Sequence, residues 1–337
     1  MIRIWSPTPK ALAGVFVAAL CAFSQATASA RPGAINYVEG HASIDGRQID
    51  QKQIGHLNLD AGQTIQTDQN SKAEILLTPG IFLRLGGDSD LTMVSPSLTN
   101  TSVEITRGEA LLSVAQLFKD NNVAVMNNGA SALILKKGLY HFNADTSQVA
   151  VYDGKLKVVD GDQHVDLKKG RQVTLATGKL KAEKFDTKQH GELYAWSNLR
   201  SEYAAEASYA TARDVMVNNY SGWNAGYGAG WLWNPWYSSW AFVPSAGYFY
   251  DPFGWGFYSP AAMYYGGGYY LPGRYGAYPI NRSIRGVRPG FHGGAGIATQ
   301  PRAMPAPRSA PAVRAVRPAP HIAAPRAPVM RSPGVRR

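Results

Sequence analysis

The stretch Gly55-His-Leu57-Asn-Leu59-Asp-Ala-Gly62-Gln-Thr-Ile65-Gln-Thr67, with Ser71-Lys-Ala73-Glu-Ile75-Leu-Leu77-Thr-Pro79-Gly80-Ile81-Phe-Leu83-Arg84-Leu85 behind it, decides the fold. Its apolar runs are short and broken by Gly or Pro-Gly, the pattern of strands joined by turns. The same writing continues over a body at 31–186. Turn signals stand at Asp45-Gly46, Pro79-Gly80, Asn128-Gly129, Asp153-Gly154, Asp160-Gly161 and Thr177-Gly178. Asn-Gly and Asp-Gly suit two-residue primed turns, whose central residues need positive φ. Between them run apolar segments at 103–105, 111–114, 123–126, 133–135, 149–152, 156–159 and 173–175. Helical periodicity and strand-helix-strand spacing are both missing from this body. The expectation is an all-β fold, a mainly antiparallel β-sandwich, with a short solenoid-like stack as the alternative.

The amino terminus reads as an export signal over residues 1–30. Arg3 and Lys10 give a positive start, residues 11–23 are an uncharged run of 13, and Ala28-Ser29-Ala30 offers a small-x-small cleavage site. A span needs about 20 apolar residues, so a Sec-type signal fits better than a membrane helix; an uncleaved anchor is the alternative. Bulky Leu20 before Cys21 argues against a lipoprotein. Cleavage after Ala30 removes the one cysteine, and with it disulfide and thiol chemistry. The expected location is the periplasm or cell envelope, or outside the cell.

Charge is unevenly placed. The chain has 34 basic and 23 acidic residues, net +11. Residues 31–251 hold all 23 acids against 20 basic residues, while 252–337 hold 12 arginines with no acid and no lysine. A mildly acidic body therefore carries a strongly basic tail.

Three segments follow the body. In 187–217, Leu193, Trp196, Leu199, Tyr203, Ala207 and Ala210 recur at three- and four-residue steps, which predicts one long helix. Docking on the sandwich through Leu193, Trp196 and Leu199 is expected, a partner-binding helix being the alternative. Residues 218–279 hold 22 aromatics, 12 glycines and two charged residues, Asp251 and Arg274. So many aromatics argue against a free coil. Asp251, Pro252 and Gly254 occupy turn positions between aromatic strands at 248–250 and 255–258, which predicts a hairpin. These aromatics either pack on the body or meet glycans, with Trp231, Trp233, Trp236, Trp240, Trp255 and Tyr258 as candidate contacts. The Pro/Ala/Arg-rich segment 280–337 reads as a disordered, extended tail. Its Arg302, Arg308, Arg314, Arg317, Arg326 and Arg331 are candidates for anionic polysaccharide or peptidoglycan; a solvated linker is the alternative.

The order of motifs in the quoted stretch resembles the FecR-type domain. A Gly precedes a strand ending Ile65-Gln-Thr67, then come Ser71-Lys-Ala73-Glu74-Ile75, the Pro79-Gly80 turn and Leu83-Arg84-Leu85. Arg107-Gly108-Glu109-Ala110, Gly138-Leu139-Tyr140, Tyr152-Asp153-Gly154-Lys155-Leu156 and Leu167-Lys-Lys-Gly170-Arg171 look similar to the family's later landmarks. That family supplies the periplasmic part of bacterial iron-citrate sensor regulators and also occurs alone in envelope proteins. The resemblance implies a non-catalytic module outside the cytoplasm. Sensor members carry a cytoplasmic anti-sigma segment before a membrane span. Here ten residues precede the apolar run, so direct transmembrane signalling is not expected.

Catalytic motifs fail on inspection. Gly87-Asp88-Ser89-Asp90-Leu91 looks like a GDSL hydrolase block but carries an extra Asp, and no Asp-x-x-His follows. Asp88 and Asp90 lack the later ligands of a calcium loop. His41, His56, His141 and His164 form no metal-ligand spacing, and Asp160 and Asp162 flank Gly161 in a tight turn. No enzyme activity, metal or cofactor is expected, and nucleic acid is not an expected partner for an exported chain. Two functions remain. One is an envelope binding or scaffold protein held to anionic cell-wall or matrix polymers. The other is a periplasmic regulatory module that takes a protein partner at a strand edge, in signalling or iron uptake.

Overall fold

Apolar residues at alternate positions along the body place one face of each strand in a shared core, and two sheets close over it. A computed structural model describes residues 30–175, 179–217 and 229–265. The chain moves back and forth between the sheets as it advances. β1 (Ala34–Glu39) lies in the first sheet, and β2 (Ala42–Ile44), β3 (Arg47–Gln48) and β4 (Thr64–Thr67) in the second. β5 (Lys72–Leu76) and β6 (Ile81–Leu85) return to the first, β7 (Asp90–Pro96) and β8 (Asn100–Arg107) to the second, and β9 (Glu109–Val114) to the first. β10 (Asn122–Asn127) and β11 (Ala130–Ile134) are in the second, β12 (Gly138–Asn143) and β13 (Gln148–Asp153) in the first. β14 (Lys155–Asp160) and β15 (Gln163–Lys168) complete the second sheet, β16 (Arg171–Thr174) and β17 (Glu183–Lys184) the first.

Strand order is β1-β5-β6-β9-β12-β13-β16-β17 in the eight-stranded sheet and β15-β14-β11-β10-β8-β7-β4-β2-β3 in the nine-stranded one. Both orders follow the sequence, apart from β3 folded outside β2. The two readings of the body thus meet: a sandwich in pairing, a stack in the way it is wound. Every described pairing is antiparallel except β8 with β10. The core between the sheets contains Ile65, Ile75, Leu83, Leu91, Val103, Leu112, Val125, Phe142 and Val158, all fully buried. Each such side chain contributes about 1.5–3 kcal/mol.

Turn chemistry explains most of the corners. Asp45 and Gly46 have φ of 50° and 77°, and Asn128 and Gly129 have 47° and 81°, the double positive φ of type I′ hairpins. Ile81 N–H donates to Thr78 C=O at 2.9 Å with Gly80 at φ 85°, a type II turn across Pro79-Gly80. Asp153-Gly154 is different and corrects the hairpin reading. β13 and β14 belong to different sheets, so this turn carries the chain across the sandwich. Gly154 (φ 97°) lies so close to the Tyr140 hydroxyl and the Lys137 carbonyl that a Cβ there would collide with both. Thr177-Gly178 lies outside the described residues.

The eight-stranded sheet is covered on both faces, which is why β5 and β6 are buried at every position. On its outer face lie α1 (Glu192–Val217), the hairpin β18 (Gly230–Asn234) with β19 (Ser239–Val243), the hairpin β20 (Tyr248–Tyr250) with β21 (Gly256–Tyr258), and α2 (Pro260–Tyr265). Phe82 of the sheet meets Trp231 edge-on at 5.1 Å and Phe257 at 5.9 Å, and Ala204 and Ala205 of α1 close the same cluster. The predicted turn is present, with Gly254 N–H donating to Asp251 C=O at 3.0 Å. Leu193 and Trp196 dock as expected, but Leu199 is exposed and Arg200 is buried. The buried stripe of α1 is Leu193, Trp196, Ser197, Arg200, Ser201, Ala204, Ala205, Ala207, Ser208, Thr211 and Ala212. Small side chains let the helix approach closely, and a periodicity search on large apolar residues passes over them.

Candidate functional site

A buried polar network holds the helix layer to the sheet. The Pro79-Gly80 turn sets Glu74 directly opposite Arg84 on the outer face of β5 and β6. Arg84 Nε donates to Glu74 Oε2 at 2.8 Å, and Arg200 from α1 donates to Oε1 at 2.9 Å. Asn36 Nδ2 donates to the same Oε1 at 2.8 Å, while its Oδ1 accepts the Trp240 backbone N–H at 2.8 Å. A second arm runs from Arg84 to Ser201 Oγ at 3.0 Å, and the Arg200 guanidinium lies 4.0 Å from the Tyr37 ring centre. Burial by itself would raise the Glu74 carboxyl; the Arg200 and Arg84 guanidiniums more than reverse this and hold it at about 2. Such a pair is committed to charge balance and is unsuited to proton transfer near neutral pH.

The aromatic candidates separate by position. Trp231 is fully buried and Trp240 nearly so, each with its indole N–H donated to a backbone carbonyl, Leu77 at 3.4 Å and Gly55 at 2.9 Å. Neither has a face left for a polymer, a correction to the contact reading that follows from their packing on Phe82 and Gly55. Trp233, Trp255 and Tyr258 are partly buried; Trp255 Nε1 donates to Asn198 Oδ1 of α1 at 2.9 Å. Trp236 alone of these six is exposed, at 68%. Arg302, Arg308, Arg314, Arg317, Arg326 and Arg331 lie outside the described residues, as do residues 1–29 of the segment expected to be an export signal. No helix among the described residues is long and apolar enough to cross a membrane.

Gly55 links the opening motif to this aromatic layer. Its φ is 87°, and a Cβ there would strike the Trp233 ring. Gly55→Ala is expected to cost about 2 kcal/mol through overpacking and left-handed strain. Urea denaturation followed by tryptophan fluorescence checks this; an unchanged midpoint overturns it.

The nine-stranded sheet keeps its outer face bare among the described residues. Across β10, β11 and β14 this face presents Ala124 opposite Leu133, Leu133 opposite Lys157, and Ser131 opposite Val159. Leu135 and Val159 are more than a third exposed. The sheet ends at β15, a six-residue strand with a partner on one side only. Asp160 and Gln163 close a two-residue hairpin, so Gln163, Val165 and Leu167 bond to β14. The backbone groups of His164, Asp166 and Lys168 therefore point outward. The other ends of the two large sheets are protected: β3 and β17 have two residues each, and β1 is covered by backbone bonds such as Ile35 N–H to Leu57 C=O at 2.9 Å and Gly55 N–H to Ile35 C=O at 3.1 Å. Charge beside β15 is largely positive, from Lys155, Lys157 and Lys168, with Asp166 paired to Lys155 at 2.6 Å.

The sequence singled out a strand edge as a docking site without locating it. Only the three-dimensional order of strands identifies β15 as terminal. Asp88, of the rejected hydrolase and calcium readings, sits in a left-handed turn at φ 50°, and Asp90 pairs with Arg107 at 3.1 Å.

Residues 63–157 match the family model described as FecR protein. No curated protein matches the chain. Two crystal structures assigned as an anti-sigma factor from Parabacteroides distasonis, at 2.50 and 1.65 Å, are 19% and 18% identical, each with a TM-score of 0.34. The match covers 40% of this chain and 64% of theirs, so the chain spans somewhat less than two thirds of their length. The segment 63–157, from β4 into β14, is a FecR-type domain and forms the centre of both sheets.

Proposed function

We propose that this chain is an exported, non-catalytic regulatory module that receives an extended segment of a protein partner at the free edge of β15. The carrying observation is that β15 is a six-residue edge with no strand paired to its outer side among the described residues, the Leu180 N–H meeting only the Gln163 side chain at its first residue, whereas the other ends of the two large sheets are short or covered. Added strands gain affinity from main-chain hydrogen bonds and specificity from alternate side chains. The partner strand that fits has apolar residues for the Leu133–Val159 face and carboxylates for Lys155, Lys157 and Lys168. A FecR-type domain supports the regulatory part of this reading, and the signal-like segment 1–30 supports export. Polymer contact by the aromatic segment is not favoured, with Trp231 and Trp240 interior.

The test places a photocrosslinking amino acid at His164 and, separately, at Ser43 on the far end of the same sheet, in the full chain in cells. One protein captured at position 164 and absent at 43 is expected. His164→Pro, which removes an outward N–H without disturbing a β14 bond, is expected to weaken that purified partner by at least about tenfold, with little change in melting temperature. No product at 164, equal labelling at 43, or binding that survives the proline overturns the assignment.

A further inference from the structure

A cleft of about 420 Å³ lies on the opposite side of the molecule from the bare face, where three parts of the chain converge. Leu139 and Tyr152 of the eight-stranded sheet form its floor. Residues 187–194 leading into α1 form one wall, and residues 250–252 in the β20–β21 turn form another. Clefts of roughly 300–1,000 Å³ are the usual size for small-ligand sites.

The lining combines cations with aromatic faces. Lys137, Lys169 and Lys188 all border the cleft. Lys169 is paired with Asp153 at 3.3 Å, while Lys137 and Lys188 have no carboxylate partner among the described residues. Tyr152 and Tyr194 hold each other at 5.3 Å between ring centres, and His190 stacks on Tyr194 at 3.8 Å and 11°. These rings are fixed before any ligand arrives, which lowers the entropy lost on binding. Asp251 also borders the cleft. It is 1% exposed, its Oδ1 accepts the Phe253 and Trp255 backbone N–H groups, and its Oδ2 has no hydrogen-bond partner. Burial pushes this carboxyl up, against the opposing pull of the Ser201 hydroxyl, the Trp255 and Phe253 N–H groups and the Arg84 charge. A cationic rim, tyrosine faces and an orphaned buried carboxyl oxygen call for an anion attached to a ring that carries hydroxyls.

We propose that this cleft binds a small anionic sugar, its carboxylate or phosphate between Lys137 and Lys188 and its ring against Tyr152 and Tyr194. The site is separate from the β15 edge, so either assignment stands or falls without the other. A ligand here bridges the FecR-type domain to α1 and the β20–β21 hairpin and stabilises their contact by binding the folded state alone.

Calorimetric titration of the full chain with glucuronate, glucose 6-phosphate and neutral glucose tests the proposal and distinguishes a carboxylate from a phosphate ligand. At least one acid is expected to bind at least about tenfold more tightly than glucose, weakening in high salt as exposed charge pairs do. The K137A/K188A double variant, at two exposed positions that leave the core intact, is expected to lose that tenfold preference and keep its melting temperature. Binding of neither acid, equal binding of glucose, or unchanged binding by the double variant overturns the site.

Discussion

Glu74→Ala is expected to destabilise the protein by about 3–5 kcal/mol, because it leaves two guanidiniums in the interior without a counter-charge. Arg84 is fully buried, and its Nη2 has no hydrogen-bond partner even with Glu74 in place. Burial already lowers the Arg84 pKa against the support of Glu74. With the carboxylate gone, Arg84 and Arg200 repel one another across a site with no room for bulk water. Relief comes most readily by moving α1 away from the sheet, since Arg200 arrives on that helix. The loss therefore falls first on the helix layer. Hydrogen exchange is expected to show α1 amides exposed while β5 and β6 remain protected, with an urea midpoint well below the parent's. Glu74→Gln, which keeps an acceptor and the side-chain volume, is expected to lose less. A fall of under 1 kcal/mol in the alanine variant, or uniform loss of protection across both layers, refutes the role assigned to this network.

Much of the body is legible because β-turn chemistry is local. Asp45-Gly46 and Asn128-Gly129 declare type I′ hairpins, and Pro79-Gly80 declares the turn that places Glu74 opposite Arg84. Asp153-Gly154 shows the limit. A hairpin and a crossing between sheets both want a residue of positive φ, and only the later pairing partners, β11 and β15 for β14, tell them apart. The helix face is legible in part, through Leu193, Trp196 and Ala207, while Leu199 lies off it. Ala and Ser carry little hydrophobic signal, yet Ala204, Ala205, Ala207 and Ser208 are the residues that let α1 lie close. Arg200 reads as a solvent-facing cation until Glu74, 126 residues away, appears beside it. The cleft was beyond reach of any motif, since its lining comes from residues 114 to 252 and its chemistry exists only when they meet.

The two buried carboxyls, Glu74 and Asp251, respond to acid in opposite directions. Glu74 is held at about 2 in the fold against an ordinary 4.5. Its contribution is fully present above the unfolded value and is lost as pH falls from about 4.5 toward 2. A depression of that size corresponds to about 3 kcal/mol. Asp251 moves the other way: burial raises it above its ordinary 3.8, with the Ser201 hydroxyl, the Trp255 and Phe253 N–H groups and the Arg84 charge offsetting only part of the effect. Folding then favours the protonated acid, so its contribution improves as pH falls through the raised value and is lost as pH rises back through it. Together they predict two opposing arms, a gain as pH falls through the raised Asp251 value and a steep decline below about 4.5 as Glu74 takes up its proton. Urea titrations between about pH 3 and 7 separate the two arms. Asp251→Asn is expected to remove the gain and leave the acid decline; Glu74→Gln is expected to flatten the decline from a lower starting stability. Should the parent's stability stay level from neutrality down to about pH 3, Glu74 does not carry a charge that the fold depends on, and the account of what fastens α1 to the sheet fails with it.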